Sequence, residues 1–181
     1  MNKLEENGLE FDFTDALHVL KFDQKDPSHS EFHDLQNMPR VDFVVELHNS
    51  IYFIEVKDPG RPDAVDVGAT KFLKKIENGT LESSLIEKYI YTLIFRWAEN
   101  KLDKSIHYVS LMTLESGQLM PILDRLEKQL VLLSKKSIRW NRSPLLSCQI
   151  HNIETWAAVF PKWPVTRLAS AIPVKAPAGA H

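Results

Sequence analysis

The chain has a single cysteine, Cys148, among its 181 residues. One cysteine can form neither an internal disulfide nor a cysteine-based zinc site, so a reducing cytoplasm is the expected setting. Long apolar runs are also missing. No stretch approaches the roughly 18 apolar residues of a membrane span, and Met1–Glu10 is polar and acidic where a secretory leader would need an apolar run. With 6 Gly and 10 Pro, a collagenous or low-complexity chain is excluded. What remains is ordinary globular composition, 44% hydrophobic and 25% charged, in a length that suits one domain. Such a chain can bury a core without staples. No internal repeat or linker divides it, so residues 1–168 read as one domain and the Ala/Pro-rich 169–181 as a frayed, flexible tail.

The net charge of -2 conceals a split. Residues 1–60 hold 13 acidic and 5 basic side chains, whereas the remainder hold 11 and 17. An acidic front joined to a basic back is one way to set a metal ion beside a polyanion; chance drift on a solvated surface is the other.

The first forty residues are ambiguous. Thr14 before Asp15–Leu20 suits an N-capped helix, yet the alternation of His18, Leu20 and Phe22 with Val19, Lys21 and Asp23 suits a strand. Gln24–Pro39 reads as loop. Val41–Leu47 and Ile51–Val56 are rich in β-branched and aromatic residues and flank the turn residues His48-Asn49-Ser50, so they predict a β-hairpin. Both segments are apolar on both faces except near one end, the pattern of a central sheet covered on both sides. Helices are predicted over Ala64–Glu77, over Leu81–Asn100 and over Leu119–Leu133 with Pro121 in the first turn; strands are predicted over Ile106–Leu114 and Leu145–Ile153. A short helical turn at Trp156–Phe160 ends at Pro161. The fold class is therefore α/β, with a central sheet covered on both sides.

Residues i and i+2 of a strand share a face, so Glu55 and Lys57 project together from the end of the second strand. Asp42 joins them if the hairpin connection is even-numbered, pairing His48 or Glu46 with Ile51. A three-residue turn moves Asp42 to the other face. Two carboxylates and an ammonium at the rim of an apolar sheet are costly to desolvate unless something uses them. A hard divalent cation such as Mg²⁺ or Mn²⁺ does so, with Asp42, Glu55 and the Val56 carbonyl as oxygen ligands and Lys57 assisting a water. A Glu-x-Lys triplet by itself is expected about once by chance in this composition, and Glu99-Asn100-Lys101 is a second copy. The setting distinguishes Glu55-Val56-Lys57. The plain alternative is a surface ion-pair cluster.

Pro39-Arg40-Val41-Asp42, then twelve residues, then Glu55-Val56-Lys57 resembles the motif of the PD-(D/E)XK nuclease superfamily, with Pro39 displaced from its usual place beside the Asp. The resemblance spans roughly residues 10–115. It implies a restriction-endonuclease-like core, a mixed central sheet flanked by helices on both faces: a helix, three antiparallel strands, a helix and a fourth, parallel strand. It also implies that Asp42 and Glu55 bind Mg²⁺ or Mn²⁺ while Lys57 assists the attacking water. The expected function is a metal-dependent endonuclease acting on nucleic acid, DNA rather than RNA. The alternative is a non-catalytic nucleic-acid-binding or assembly module on the same fold, for instance within a multi-protein defence system. Without a recognition domain, cutting both strands implies a homodimer or a partner protein. Family members often add an acidic residue from the first helix, a role for which Asp23, Glu31 and Glu10 compete and Asp23 is favoured. They also add a Lys, Gln or Tyr from the second helix, where Lys88 and Tyr91 lie off the apolar stripe, within reach of a nucleic-acid phosphate.

Other conspicuous residues have simpler readings. The seven histidines show no ligand spacing beyond His29 and His33 in a polar loop. Cys148 sits among Leu145, Leu146 and Ile150 and reads as core. Lys135-Lys136 followed by Arg139-Trp140-Asn141-Arg142 is a basic-aromatic patch suited to phosphate contact and base stacking, or else a solvated loop with one anchoring Trp.

Overall fold

The segments richest in β-branched and aromatic residues form the middle of a five-stranded sheet. The computed structural model describes residues 2–32, 35, 37–59, 66–134 and 138–168; the expected tail at 169–181, His33, Lys135 and Lys136 lie outside them. The main sheet contains β3 (His18–Lys21), β4 (Phe43–Glu46), β5 (Ser50–Lys57), β6 (Ser105–Met112) and β7 (Ser147–His151), in that order. β3, β4 and β5 are antiparallel, while β5, β6 and β7 run parallel. Chain length explains the change. A short turn joins β4 to β5, but β5 reaches β6 only through α1 (Asp66–Glu77) and α2 (Thr80–Ala98), and β6 reaches β7 through α3 (Ser116–Ser134).

The predicted hairpin register is even. Glu46 lies opposite Ile51 and Phe43 opposite Ile54, which sets Asp42 against Glu55 one step further on. Leu47 N–H bonds to the Ser50 carbonyl and tightens the turn.

One face of the sheet is covered by helices. Leu81, Leu85 and Tyr89 of α2 and Ile122, Leu126 and Leu130 of α3 pack on Val44, Phe53 and Tyr108, all nearly solvent-free. Their spacing at three and four residues gives each helix one apolar stripe. α3 begins earlier than its apolar stripe suggests, so Pro121 stands in the second turn rather than the first.

The opposite face departs from the expectation of helices on both sides. It is covered by α4 (Ile153–Val159) and by a three-stranded sheet of β1 (Lys3–Glu6), β2 (Leu9–Asp12) and β8 (Val165–Arg167). Phe11, Phe13, Phe43 and Trp156 interlock there at ring separations of 5.2–5.8 Å. The implied helix ahead of the three antiparallel strands is also absent among the described residues. Asn7 and Gly8 both adopt positive φ, 52° and 77°, between the paired Glu6 and Leu9. That is the two-residue turn whose twist suits a hairpin, so the chain starts with strands. Among the described residues no helix is long and apolar enough to cross a membrane.

Candidate metal centre

Asp42 ends the segment entering β4, and its position is fixed from several sides. Val41 N–H donates to Thr92 Oγ1 of α2 at 3.1 Å, and Phe22 N–H donates to the Asp42 carbonyl at 2.8 Å. The Asp42 carboxylate accepts the Val56 N–H through Oδ2 at 2.6 Å. Across from it, Glu55 is fully buried and Asp42 is 3% exposed. Two carboxylates on adjacent strands, both out of water, repel each other. Burial first, and Glu55 second, push the Asp42 carboxyl well above the ordinary carboxylate range.

Two lysines offset this charge. Lys57 Nζ lies 2.5 Å from Glu55 Oε1. Lys88, on the flank of α2, lies 2.6 and 2.8 Å from the two Glu55 oxygens and 3.6 Å from Asp42 Oδ1. Burial pulls the Lys88 ammonium down, but Glu55 and Asp42 outweigh it, and its pKa is raised. Lys88 is expected to contact a phosphate; in the structure its partners are the acidic side chains themselves.

Further acids converge on Asp42. Ligand oxygens of Glu6, Asp23 and Asp42 lie within 4.8 Å of one another. Asp23 Oδ1 is buried without a hydrogen-bond partner, so a carboxylate oxygen stands there unsatisfied. This donor set of hard oxygens fits Mg²⁺ or Mn²⁺. Glu31, the other candidate of the loop, instead accepts the Lys21 N–H, and Glu10 pairs with Lys3. The Val56 carbonyl accepts Asn7 Nδ2 at 3.2 Å, so the N-terminal hairpin reaches both an acid and a carbonyl of the centre.

Glu6 and Asn7 were not singled out from the sequence. The signal was present: Asn-Gly flanked by alternating apolar and polar residues is a strong local hairpin indicator. No local pattern says that the hairpin folds back onto β5. A cleft of about 430 Å³ opens beside the centre, lined by Asp23, Gln24, Pro39, Arg40 and Lys88 among others. Arg40 braces its wall, bonding to the carbonyls of Phe22, Leu35 and Met38.

The other expected contacts lie elsewhere. Tyr91 is half-buried on α2, and Arg139 is exposed. Trp140 and Arg142 line an apolar groove of about 450 Å³ with Ile90, Leu93, Ile94 and Trp97. Ile90 and Trp97 are about half a turn around α2 from Lys88, so this groove and the acidic centre occupy opposite flanks of one helix. Cys148 packs against the helix-covered core, and burial pushes its thiol up to about 12.

Comparison with known protein families, with curated proteins and with solved structures finds no match to this chain.

Proposed function

We propose that the protein is a metal-dependent nuclease that hydrolyses phosphodiester bonds, with DNA as the expected substrate. One observation carries this reading: Asp42 and Glu55, both buried, face each other at the open end of a sheet with Lys57 on the same side. Acids kept out of water and pressed together destabilise a fold unless a cation uses them. Asp42 and Glu55 would hold Mg²⁺ or Mn²⁺, and Asp23 and Glu6, whose oxygens cluster with Asp42 and not with Glu55, would add oxygens from the Asp42 side. The bound ion supplies Lewis acidity for the phosphodiester and for an attacking water. Asp42 is oriented for this by the Val56 N–H, which fixes Oδ2 and leaves Oδ1 3.6 Å from Lys88. Lys57 pairs with Glu55 and is placed to orient the water and to offset charge as the phosphorane forms. The nucleic acid would enter through the cleft beside Lys88 and Arg40. Arg139, Trp140 and Arg142 contribute only if the strand also runs past the far flank of α2.

A second reading has its own support. Both lysines close on Glu55, which is how a purely structural ion cluster would look, and a binding or assembly module on this fold would keep it. One assay separates the two. Single- and double-stranded DNA and RNA are incubated with Mn²⁺, Mg²⁺ or EDTA, using wild type and Glu55→Ala. A nuclease cuts with metal, stops in EDTA and loses cutting in Glu55→Ala; nucleic-acid binding without any metal-dependent cutting leaves the module reading. Full cutting by Lys57→Ala would remove Lys57 from the mechanism.

A further inference from the structure

Lys88 stands in the space that the two carboxylates share. Among the ion pairs of the described residues, it alone reaches both Asp42, at 3.6 Å, and Glu55, at 2.6 Å. Its side chain is 17% exposed, and it borders the cleft. The backbone beneath it is anchored: Leu85, Tyr89 and Thr92 of α2 are buried, and Thr92 accepts from Val41. Only the four-carbon stem is free to move, and a lysine stem has many rotamers.

From this geometry we infer that Lys88 is a built-in counter-ion of the centre, one that a divalent cation must displace in order to bind. The inference rests on the metal-dependent reading and names what regulates that site. An ammonium engaged with both oxygens of Glu55 takes up the lone pairs that a metal needs. Two cations in one pocket also repel strongly where water is scarce. Lys88 therefore keeps the metal-free fold from carrying an uncompensated acidic cluster, and it weakens metal binding by the same interaction. Once displaced, its ammonium turns into the cleft, where a phosphate would meet it.

Lys57 does not play this part. It pairs with one oxygen of Glu55 from the strand end, and its side chain is 27% exposed, so it can remain near Glu55 while the other oxygen changes partner.

The test uses the full chain, stripped of metal, without nucleic acid. Mn²⁺ is titrated calorimetrically into wild type and Lys88→Met. In parallel, wild-type amines are labelled with an N-hydroxysuccinimide ester, with and without Mn²⁺, and Lys88 is read against the exposed Lys128 by peptide mass spectrometry. Lys88→Met is expected to bind Mn²⁺ at least about ten-fold tighter than wild type, and Lys88 labelling is expected to rise several-fold when Mn²⁺ saturates the protein. Equal affinity in the two proteins, or unchanged Lys88 labelling at saturating Mn²⁺, overturns the inference while leaving the metal reading intact. Absence of Mn²⁺ binding in both proteins overturns the metal reading and this inference together. If Lys88→Met does not fold, the labelling of wild type decides.

Discussion

The β4–β5 hairpin carries an ionic cluster at each end, and the two are built on different plans. At the turn end, Glu46 meets Arg96 of α2 in a close ion pair and lies 3.4 Å from Lys104, while Arg96 also holds Glu99 at 2.7 Å. Lys104 further donates to the Leu47 carbonyl at 2.8 Å. Two acids meet two cations, and Arg96, 3% exposed, supplies the planar donor fork that suits a fixed pair. At the open end, Asp42, Glu55, Glu6 and Asp23 gather with flexible lysines, one Asp23 oxygen has no partner, and the Asp42 pKa is driven up. Acids and cations balance in number at both ends, with Lys21 at 3.0 Å from Glu6 and Lys25 at 3.6 Å from Asp23. What differs is that at the open end two buried carboxylates are pressed together and held by flexible ammonium groups rather than by a guanidinium fork. A cluster that only braces the sheet would resemble the first, and this difference supports the metal site proposed at the open end.

The comparison breaks most visibly at Asp42. Asp42→Asn should lower metal-dependent cleavage by roughly a thousand-fold or more, as loss of a metal ligand does. The same variant should melt no lower than wild type in EDTA. Burial and Glu55 already disfavour the charged carboxylate, so a neutral isostere that still accepts the Val56 N–H removes a repulsion. A calorimetric scan beside a cleavage assay reads both effects, and a large drop in melting temperature would show the open end to be bracing after all.

Arg96→Met probes the other end. It strips a buried cation from Glu46 and should destabilise the protein by about 3 kcal/mol, roughly 6–12 °C in melting temperature for a chain of this size. Cleavage measured well below the melting point should change only a few-fold. Strong loss of activity in a folded Arg96→Met protein would mean that the two clusters are coupled.

Asn7→Gly sharpens the picture at the hairpin tip. Glycine keeps the positive φ that Asn7 adopts, so the turn survives, but the bond to the Val56 carbonyl is lost. Mn²⁺ affinity should fall by about ten-fold, in the range for groups that orient a metal site. Unchanged affinity would reduce Asn7 to a turn residue.

The smallest effect is expected across α2. Trp140→Ala should weaken single-stranded nucleic-acid binding by about 1 kcal/mol, roughly five-fold, through lost base stacking. The cleavage rate at saturating substrate should stay as it was. No change in binding would remove the groove from the nucleic-acid surface.

How much of this was legible along the chain depended on how local each determinant is. β4, β5 and α2 were legible because dense β-branched segments and a sustained 3.6-residue period are local signals. Asp42, Glu55 and Lys57 could be grouped because strand parity ties neighbours in sequence to one face, once the turn is even. The N-terminal hairpin was missed: Met1–Glu10 reads as polar until Phe11 is seen against Trp156 and Phe43, with Leu9 buried in the same cluster, partners far along the chain. β8 is three residues long and forms only because Leu9–Phe11 offers an edge to pair with. The acidic surplus of the first sixty residues is shared out in space, with Glu46 answered by Arg96 and Asp58 by Arg167.

By itself, the sequence determined the alternation and the helical periods, and with them an α/β fold and, given an even turn, the grouping of Asp42, Glu55 and Lys57 on one face. Those properties follow from bond geometry over a few residues. Only the tertiary structure decided that Lys88 lies on Glu55 rather than on a phosphate, that Glu6 and Asn7 reach the centre, and that Trp140 stands on the far side of α2. Each depends on which buried surfaces meet, and apolar burial is non-directional and acts between residues tens of positions apart.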